Sequence, residues 1–264
     1  MERLSDNVYV HTVVTQGYTV NCAVVLGSDR VFVFDTLDSP QAMQPVTELL
    51  EAEAGGRRVM VVNSHHHWDH VYGNAAFGGR DIIAHRLCQR LIEKQEKSES
   101  EKIPRPPAEG VPQPNVAFGD RLTLTDAVTT VHLLHTSGHS EDSIIMYVDE
   151  LSMLFAGDAV EWPFPTFAQR DACDQYLRTL RQLNQLPVSR VVPGHGPVMG
   201  KEIIDYNERY IEELYDVVRT AKDSRIPRAE LHLPAEEFAP RGVEIDEVHE
   251  RFHRENVEWA YDEV

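Results

Sequence analysis

The first third of the chain alternates short apolar runs with polar turns. Residues 8–14, 20–26 and 31–34 are rich in β-branched and aromatic side chains, the pattern of successive strands in one sheet, and the third run ends in Asp35. From Ser39, read as an N-cap with Pro40 at the first helical position, Met43, Val46, Leu49 and Leu50 fall on one helical face, and Gly55-Gly56 stops the helix. Strands are predicted over 59–62 and 82–84, and Leu87, Leu91 and Ile92 predict a helix after the second. Between residues 93 and 118 the pattern dissolves into charge and then into Pro104, Pro106, Pro107, Pro112 and Pro114, a stretch expected to add little core and a candidate lid. The sheet signal returns at 121–124, 129–134, 143–148 and 152–155, followed by a helix over 171–183 and a strand over 190–192. Beyond Gly200, Ile203, Ile204, Tyr210, Ile211, Leu214 and Val218 have helical spacing, and 244–261 reads as a last helix.

Composition narrows what this scaffold serves. The 264 residues are 42% hydrophobic and 26% charged, enough for one large core, and the formal net charge of -18 opposes binding to nucleic acid or to an anionic membrane. The N-terminal residues carry Glu2, Arg3 and Asp6 and lack a signal-peptide core, and no run approaches a membrane span, so a cytoplasmic protein acting on a small molecule is expected. Cys22, Cys88 and Cys173 are widely and irregularly spaced and are read as reduced, partly buried thiols. Acidic residues outnumber basic ones two to one beyond residue 200, where a solvated helical face is expected and an apolar stripe is a candidate homodimer contact.

The candidate chemistry begins where the strand over 59–62 runs into Asn63-Ser64-His65-His66-His67-Trp68-Asp69-His70. On an extended turn, residues i and i+2 can aim two imidazoles at one ion, while i+4 and i+5 face a second position nearby. Zinc takes about four nitrogen or oxygen ligands, so partners are expected at other strand ends. Three further apolar runs deliver Gly138-His139, Gly157-Asp158 and Gly194-His195, the glycine allowing a tight turn before each ligand.

In this order the residues resemble the metallo-β-lactamase superfamily over roughly residues 8–200. The resemblance implies an α/β fold, the four-layer αββα sandwich, as a catalytic domain over 1–200 with a helical C-terminal extension over 201–264 packed on it. It also implies two Zn2+ per chain, with iron or manganese as substitutes. His65, His67 and His139 would hold the first, Asp69, His70 and His195 the second, and Asp158 would bridge them. Asp35 resembles the family's structural aspartate that hydrogen-bonds the metal loop. The implied reaction is hydrolysis of a carboxylic ester, thioester or lactone by a metal-bridged hydroxide, with Asp69 and Asp158 as the catalytic carboxylates.

Several features bear on the branch. The histidine-rich run is similar to that of glyoxalase II, whereas His195 lies in a generic Gly-His-Gly-Pro and the tail lacks an evident basic cluster for glutathione. Asp158 stands where secreted zinc β-lactamases have Cys or Ser, and His67 is not the Glu of the diiron flavoprotein oxygen reductases. The inserted arms of the family's nucleases are absent from the sequence pattern, which leaves β-lactam and phosphodiester hydrolysis as minor alternatives. The main alternative is an oxidoreductase resembling persulfide dioxygenases, with one iron on His65, His67 and His139.

Trp162, Phe164 and Phe167 are candidates for the wall of a substrate pocket. His66, His132, His135, His11 and His85 are read as surface or hydrogen-bonded side chains, and His249 and His253 as an exposed helical face.

Overall fold

The computed structural model describes residues 1–169 and 172–264. A seven-stranded sheet is formed, in order across it, by β1 (Glu2–Ser5), β2 (Val8–Thr15), β3 (Tyr18–Leu26), β4 (Arg30–Phe34), β5 (Arg58–Val62), β6 (Asp81–His85) and β7 (Val116–Phe118). Its first four strands pair antiparallel and β4 to β7 pair parallel. A second sheet contains β8 (Arg121–Thr125), β9 (Thr130–His135), β10 (Ile144–Val148), β11 (Met153–Gly157) and β12 (Arg190–Pro193). It runs antiparallel from β8 to β11 and parallel between β11 and β12. The helices are α1 (Gln44–Glu53), α2 (Trp68–Val71), α3 (Cys88–Glu96), α4 (Cys173–Leu183), α5 (Glu202–Asp223) and α6 (Glu247–Glu263).

Strand periodicity explains the layering. Val8, Val10, Ala23, Val25, Phe32, Phe34, Met60 and Val62 turn one way and meet Val131, Leu133, Ile144, Met146, Phe155 and Val192 of the facing sheet. The alternate positions, among them Val20, Cys22, Val24, Val31, Val33, Val59 and Val61, turn the other way onto Val46 and Leu50 of α1. On the far side of the second sheet, Ile145, Leu154, Ala156 and Val191 pack on Tyr176 and Leu180 of α4, Ile203, Ile211 and Leu214 of α5, and Val257 and Ala260 of α6. The result is the expected αββα sandwich. Each fully buried aliphatic or aromatic side chain contributes about 1.5–3 kcal/mol relative to exposure.

Local differences from the sequence reading have local causes. α1 starts at Gln44 with Pro45 in its first turn; residues 40–43 form a separate turn, closed by the Ala42 amide donating to Ser39 Oγ at 3.3 Å. Ser39 therefore caps a turn rather than the helix. β1 is a charged edge strand and β7 an edge strand inside the proline-rich stretch, and neither carries the dense apolar run by which central strands are read. The 93–118 stretch is accordingly narrower than expected: its first residues complete α3, its last three are β7, and Val111 between them is buried with Trp68, Tyr72, Cys88 and Ile92. α4 is described from Cys173, and the predicted start at Asp171 lies outside the described residues. α6 begins at Glu247, three residues after the predicted start at Glu244, because Asp246 caps it by accepting from the amides of Val248 and His249. All three cysteines are free thiols, Cys22 and Cys88 buried and Cys173 half-buried. Among the described residues, no helix is long and apolar enough to cross a membrane.

Candidate metal centre

Four loops at one edge of the sandwich supply the predicted ligands. The loop after β5 carries His65 and His67 and leads into α2, whose first turns hold Asp69 and His70; loops after β9, β11 and β12 carry His139, Asp158 and His195. Close approach of neighbouring side chains dictates two of the glycines. Gly157 has φ +50, and a Cβ there would lie 2.6 Å from Ser64 Cβ; a Cβ on Gly194 would lie 1.9 Å from Asp158 Oδ1.

The structure brings all seven residues together in two adjoining groups, His65, His67, His139 and Asp158 in one and Asp69, His70 and His195 in the other. Asp158 lies between them. Its Oδ2 is 3.5 Å from His65 Nε2, 3.4 Å from His139 Nε2 and 3.1 Å from His195 Nε2, while its Oδ1 is 3.2 Å from His70 Nε2. In the first group His67 Nδ1 and His139 Nε2 stand 3.1 Å apart.

The far nitrogen of several of these imidazoles has a partner that fixes the ring. His65 Nδ1 lies 2.9 Å from Ser64 Oγ, His70 Nδ1 lies 2.9 Å from Asp35 Oδ2, His139 Nδ1 donates to Thr166 O at 3.1 Å, and His195 Nδ1 donates to Thr19 O at 2.7 Å. Asp35 is the hub on the β5 side. It is buried at φ +63, a conformation aspartate tolerates, and it also accepts from the Ser64 amide at 2.6 Å and Ser64 Oγ at 2.7 Å.

The electrostatics favour cations at this edge. Burial would raise Asp158, yet the surrounding imidazoles, His195 first, hold it well below the usual carboxylate range. Burial would lower His195, but the charge of Asp158 and its hydrogen bond push it up to about 9, and Asp158, Asp69 and Asp35 likewise hold His70 well above its ordinary value. Burial lowers His65, His67 and His139, which keeps their lone pairs available as ligands. His65 Nε2, His70 Nε2 and Asp158 Oδ1 are buried without a hydrogen-bond partner. Three converging buried polar atoms with no aligned hydrogen bond among the described residues are costly, and divalent cations ligated by nitrogen and oxygen fit them.

A cavity of about 510 Å³ opens over these ligands. Trp162, Phe164 and Phe167 line it, together with Trp68 and Tyr18. The candidate lid over 93–118 supplies one wall, Glu101, Lys102 and Ile103, and reaches α6 through Lys102 Nζ and Glu255 at 2.7 Å. Sequence reasoning missed another wall, α6, which contributes His249, Arg251, Phe252 and Glu255. It also missed Glu161, buried three residues after Asp158, where it accepts from the Thr166 amide and hydroxyl at 2.8 and 2.9 Å. Burial and the charge of Asp158 push Glu161 up to about 8. The signal for it in the sequence was a lone acidic residue in the apolar run Ala159 to Phe164.

The remaining histidines divide. His66 Nδ1 meets Asp142 Oδ1 at 2.9 Å, His132 Nε2 meets Asp149 Oδ2 at 3.0 Å, and the ring nitrogens of His11 and His135 lie 3.0 Å from Ala42 O and Glu141 O. His249 and His253 correct the expectation of an exposed face: His249 lines the cavity and His253 is fully buried between Tyr210 Oη at 2.8 Å and Leu233 O at 3.0 Å, because the apolar stripe of α6 packs on α5 rather than facing water. His85 is a second correction, being buried with neither ring nitrogen hydrogen-bonded and stacked on His135 at 4.0 Å.

Burial and the neighbouring His135 lower His85 to about 4. In the unfolded chain it titrates near 6.5, so between these values the unfolded state binds more protons and folding stability falls as pH drops from about 6.5 towards 4. The effect is at most about 3 kcal/mol, less whatever solvent screens. His85→Phe keeps the stack and should flatten the slope of melting temperature between pH 7 and 4; an unchanged slope would assign the acid loss to other groups.

Comparison with known proteins identifies the family and the fold. The family model described as the metallo-beta-lactamase superfamily matches residues 15–195. The chain is 26% identical over 217 residues to an acyl-coenzyme A thioesterase, MBLAC2, of Gallus gallus, covering 70% of this chain and 76% of that protein. It is 30% identical over 152 residues to a beta-lactamase-like protein 2 homolog of Caenorhabditis elegans and 30% identical over 148 residues to a hydroxyacylglutathione hydrolase of a Synechococcus strain, covering 58% and 56% of this chain. The chain spans about half the length of these last two, 46% and 52%. Among solved structures, a metallo-beta-lactamase family protein from Thermus thermophilus superposes with a TM-score of 0.65 at 20% identity over 84% of each chain, which shows a shared fold. With the family model covering the strands and loops that assemble both ligand groups, the chain belongs to the metallo-β-lactamase superfamily.

Proposed function

We propose that this protein is a dinuclear metallohydrolase, with two Zn2+ per chain, that cleaves a carboxylic ester, thioester or lactone of a small molecule. The observation that carries this reading is Asp158, whose two oxygens face both ligand groups at the floor of an aromatic-walled cavity. The thioesterase and hydroxyacylglutathione hydrolase among the relatives support the choice of bond.

Cations bound here would supply Lewis acidity and a lowered pKa for the attacking water. The chain's own residues do the rest. Asp158 offsets the charge of both groups, and the backbone carbonyls of Thr166 and Thr19 hold His139 and His195 with their Nε2 atoms towards it. Asp69, at the cavity floor, is placed to take the proton lost by the water and return it to the leaving group. Trp162, Phe164, Phe167 and Phe252 shield the reacting carbonyl from bulk water and offer an acyl group an apolar wall.

The test is a panel of p-nitrophenyl esters, acyl-coenzyme A and glutathione thioesters, acyl-homoserine lactones, a β-lactam and bis-p-nitrophenyl phosphate, with elemental analysis of the same protein. Turnover confined to the first groups with two zinc ions per chain is expected. Activity confined to the phosphodiester would overturn the choice of bond, and one iron per chain with oxygen uptake would replace the reading with a dioxygenase.

A further inference from the structure

Tyr18 belongs to none of the ligand loops, yet its hydroxyl donates to Asp69 Oδ2 at 3.0 Å. That oxygen is the one facing the rest of its group, 3.8 Å from His195 Nε2 and 3.9 Å from His70 Nε2. The ring of Tyr18 stands edge-on to His195 at 5.1 Å and to Phe252 of α6 at 5.5 Å. Its place follows from the hairpin between β2 and β3. Gln16 at φ +48 and Gly17 at φ +92 make a two-residue turn, and Thr15 pairs with Tyr18 across it. The turn itself is pinned against α6, since a Cβ on Gly17 would lie 2.8 Å from Val248 Cγ2.

The next residues of β3 hold the other end of the same group. Thr19 O accepts from His195 Nδ1, Thr19 Oγ1 accepts from the Gly196 amide at 3.0 Å, and Asn21 Nδ2 donates to Pro193 O at 2.9 Å and Gly196 O at 2.8 Å. One strand start thus orients Asp69 and His195 together, while the first group takes its outer contacts from Ser64 and Thr166.

We infer that Tyr18 is a positioning residue for the Asp69, His70 and His195 group, its hydroxyl fixing the Asp69 carboxylate so that the second of two cations binds tightly. An oxygen with two lone pairs can accept from Tyr18 and still serve as a ligand. Losing such an outer contact typically costs 10–100-fold in metal affinity.

This inference rests on the two-cation reading, and zinc titration of the metal-free protein separates the two. Wild type should take up two equivalents in distinguishable steps; a single equivalent would overturn both. Tyr18→Phe, which removes only the hydroxyl, should weaken the second step by about 10-fold or more and leave the first unchanged. With Co2+ in place of zinc, the absorption bands of the second equivalent should shift and those of the first should not. Tyr18→Leu should show the same selective loss. Two wild-type steps in Tyr18→Phe, or equal weakening of both, would overturn the inference; loss in Tyr18→Leu with a normal Tyr18→Phe would assign the role to ring packing instead.

Discussion

Asp158→Ala should remove at least about 100-fold of kcat/KM on the best substrate of the panel and leave the protein short of metal. Losing a group that only orients a ligand costs 10–100-fold in affinity or activity, and Asp158 is nearer than that: its oxygens lie within 3.5 Å of four of the imidazoles. Without it, a cation at His70 and His195 keeps Asp69 and Glu161 nearby but loses the carboxylate between the two groups, and would be held less. Asp158→Asn separates charge from shape, since the amide fills the same volume. It should fall close to the alanine variant. Both are checked by steady-state kinetics alongside elemental analysis, and an Asp158→Ala protein with wild-type rate and normal metal content would strike Asp158 from the ligand set.

Asp35→Ala should be the most destabilising single change around the centre, about 3–5 kcal/mol, because it breaks a buried charged contact and strands its partners. The Ser64 amide, the Ser64 hydroxyl and His70 Nδ1 would all lose their acceptor in a site closed to water. Alanine would also have to occupy φ +63, where aspartate is tolerated and a plain Cβ is strained. Asp35→Asn is expected to fold better and still to bind metal poorly, because an amide nitrogen turned to His70 Nδ1 favours the other tautomer. Urea unfolding of the metal-free proteins measures the first effect and zinc titration the second. A cost below about 1 kcal/mol for Asp35→Ala would mean that water or a neighbouring side chain replaces the lost acceptor.

The contrast between Asp35 and Tyr18 shows where the sequence was legible. Asp35, His65, His67, Asp69, His70, His139, Asp158 and His195 each follow an apolar strand run directly or within a few residues, so periodicity located the loops and the residue types named the chemistry. The central strand runs were equally plain because strands such as β4, β5, β10 and β11 are buried on both faces. Tyr18 was hidden because a tyrosine at a strand start is ordinary, and its contact with Asp69 spans 51 residues. Nothing local distinguishes Glu161 from other loop carboxylates; its burial does. His249 and His253 sit four apart on α6 and shared one expectation, yet a neighbouring helix buries one while the cavity receives the other. Faces of a helix are chosen by what packs against them, and that partner, α5, lies outside any local window.

The cavity wall formed by α6 has a consequence for how the protein can diverge. Every predicted ligand lies at or before His195, whereas His249, Arg251, Phe252 and Glu255 come more than fifty residues later and reach the cavity from α6, His249 edge-on to Phe164 at 6.3 Å. The ligand set and part of the cavity wall above it are therefore written in separate stretches of the chain. A change in α6 that alters this wall also reaches Asp69, through Val248 and Phe252 against the Gly17-Tyr18 turn, so wall and ligand group are expected to diverge together.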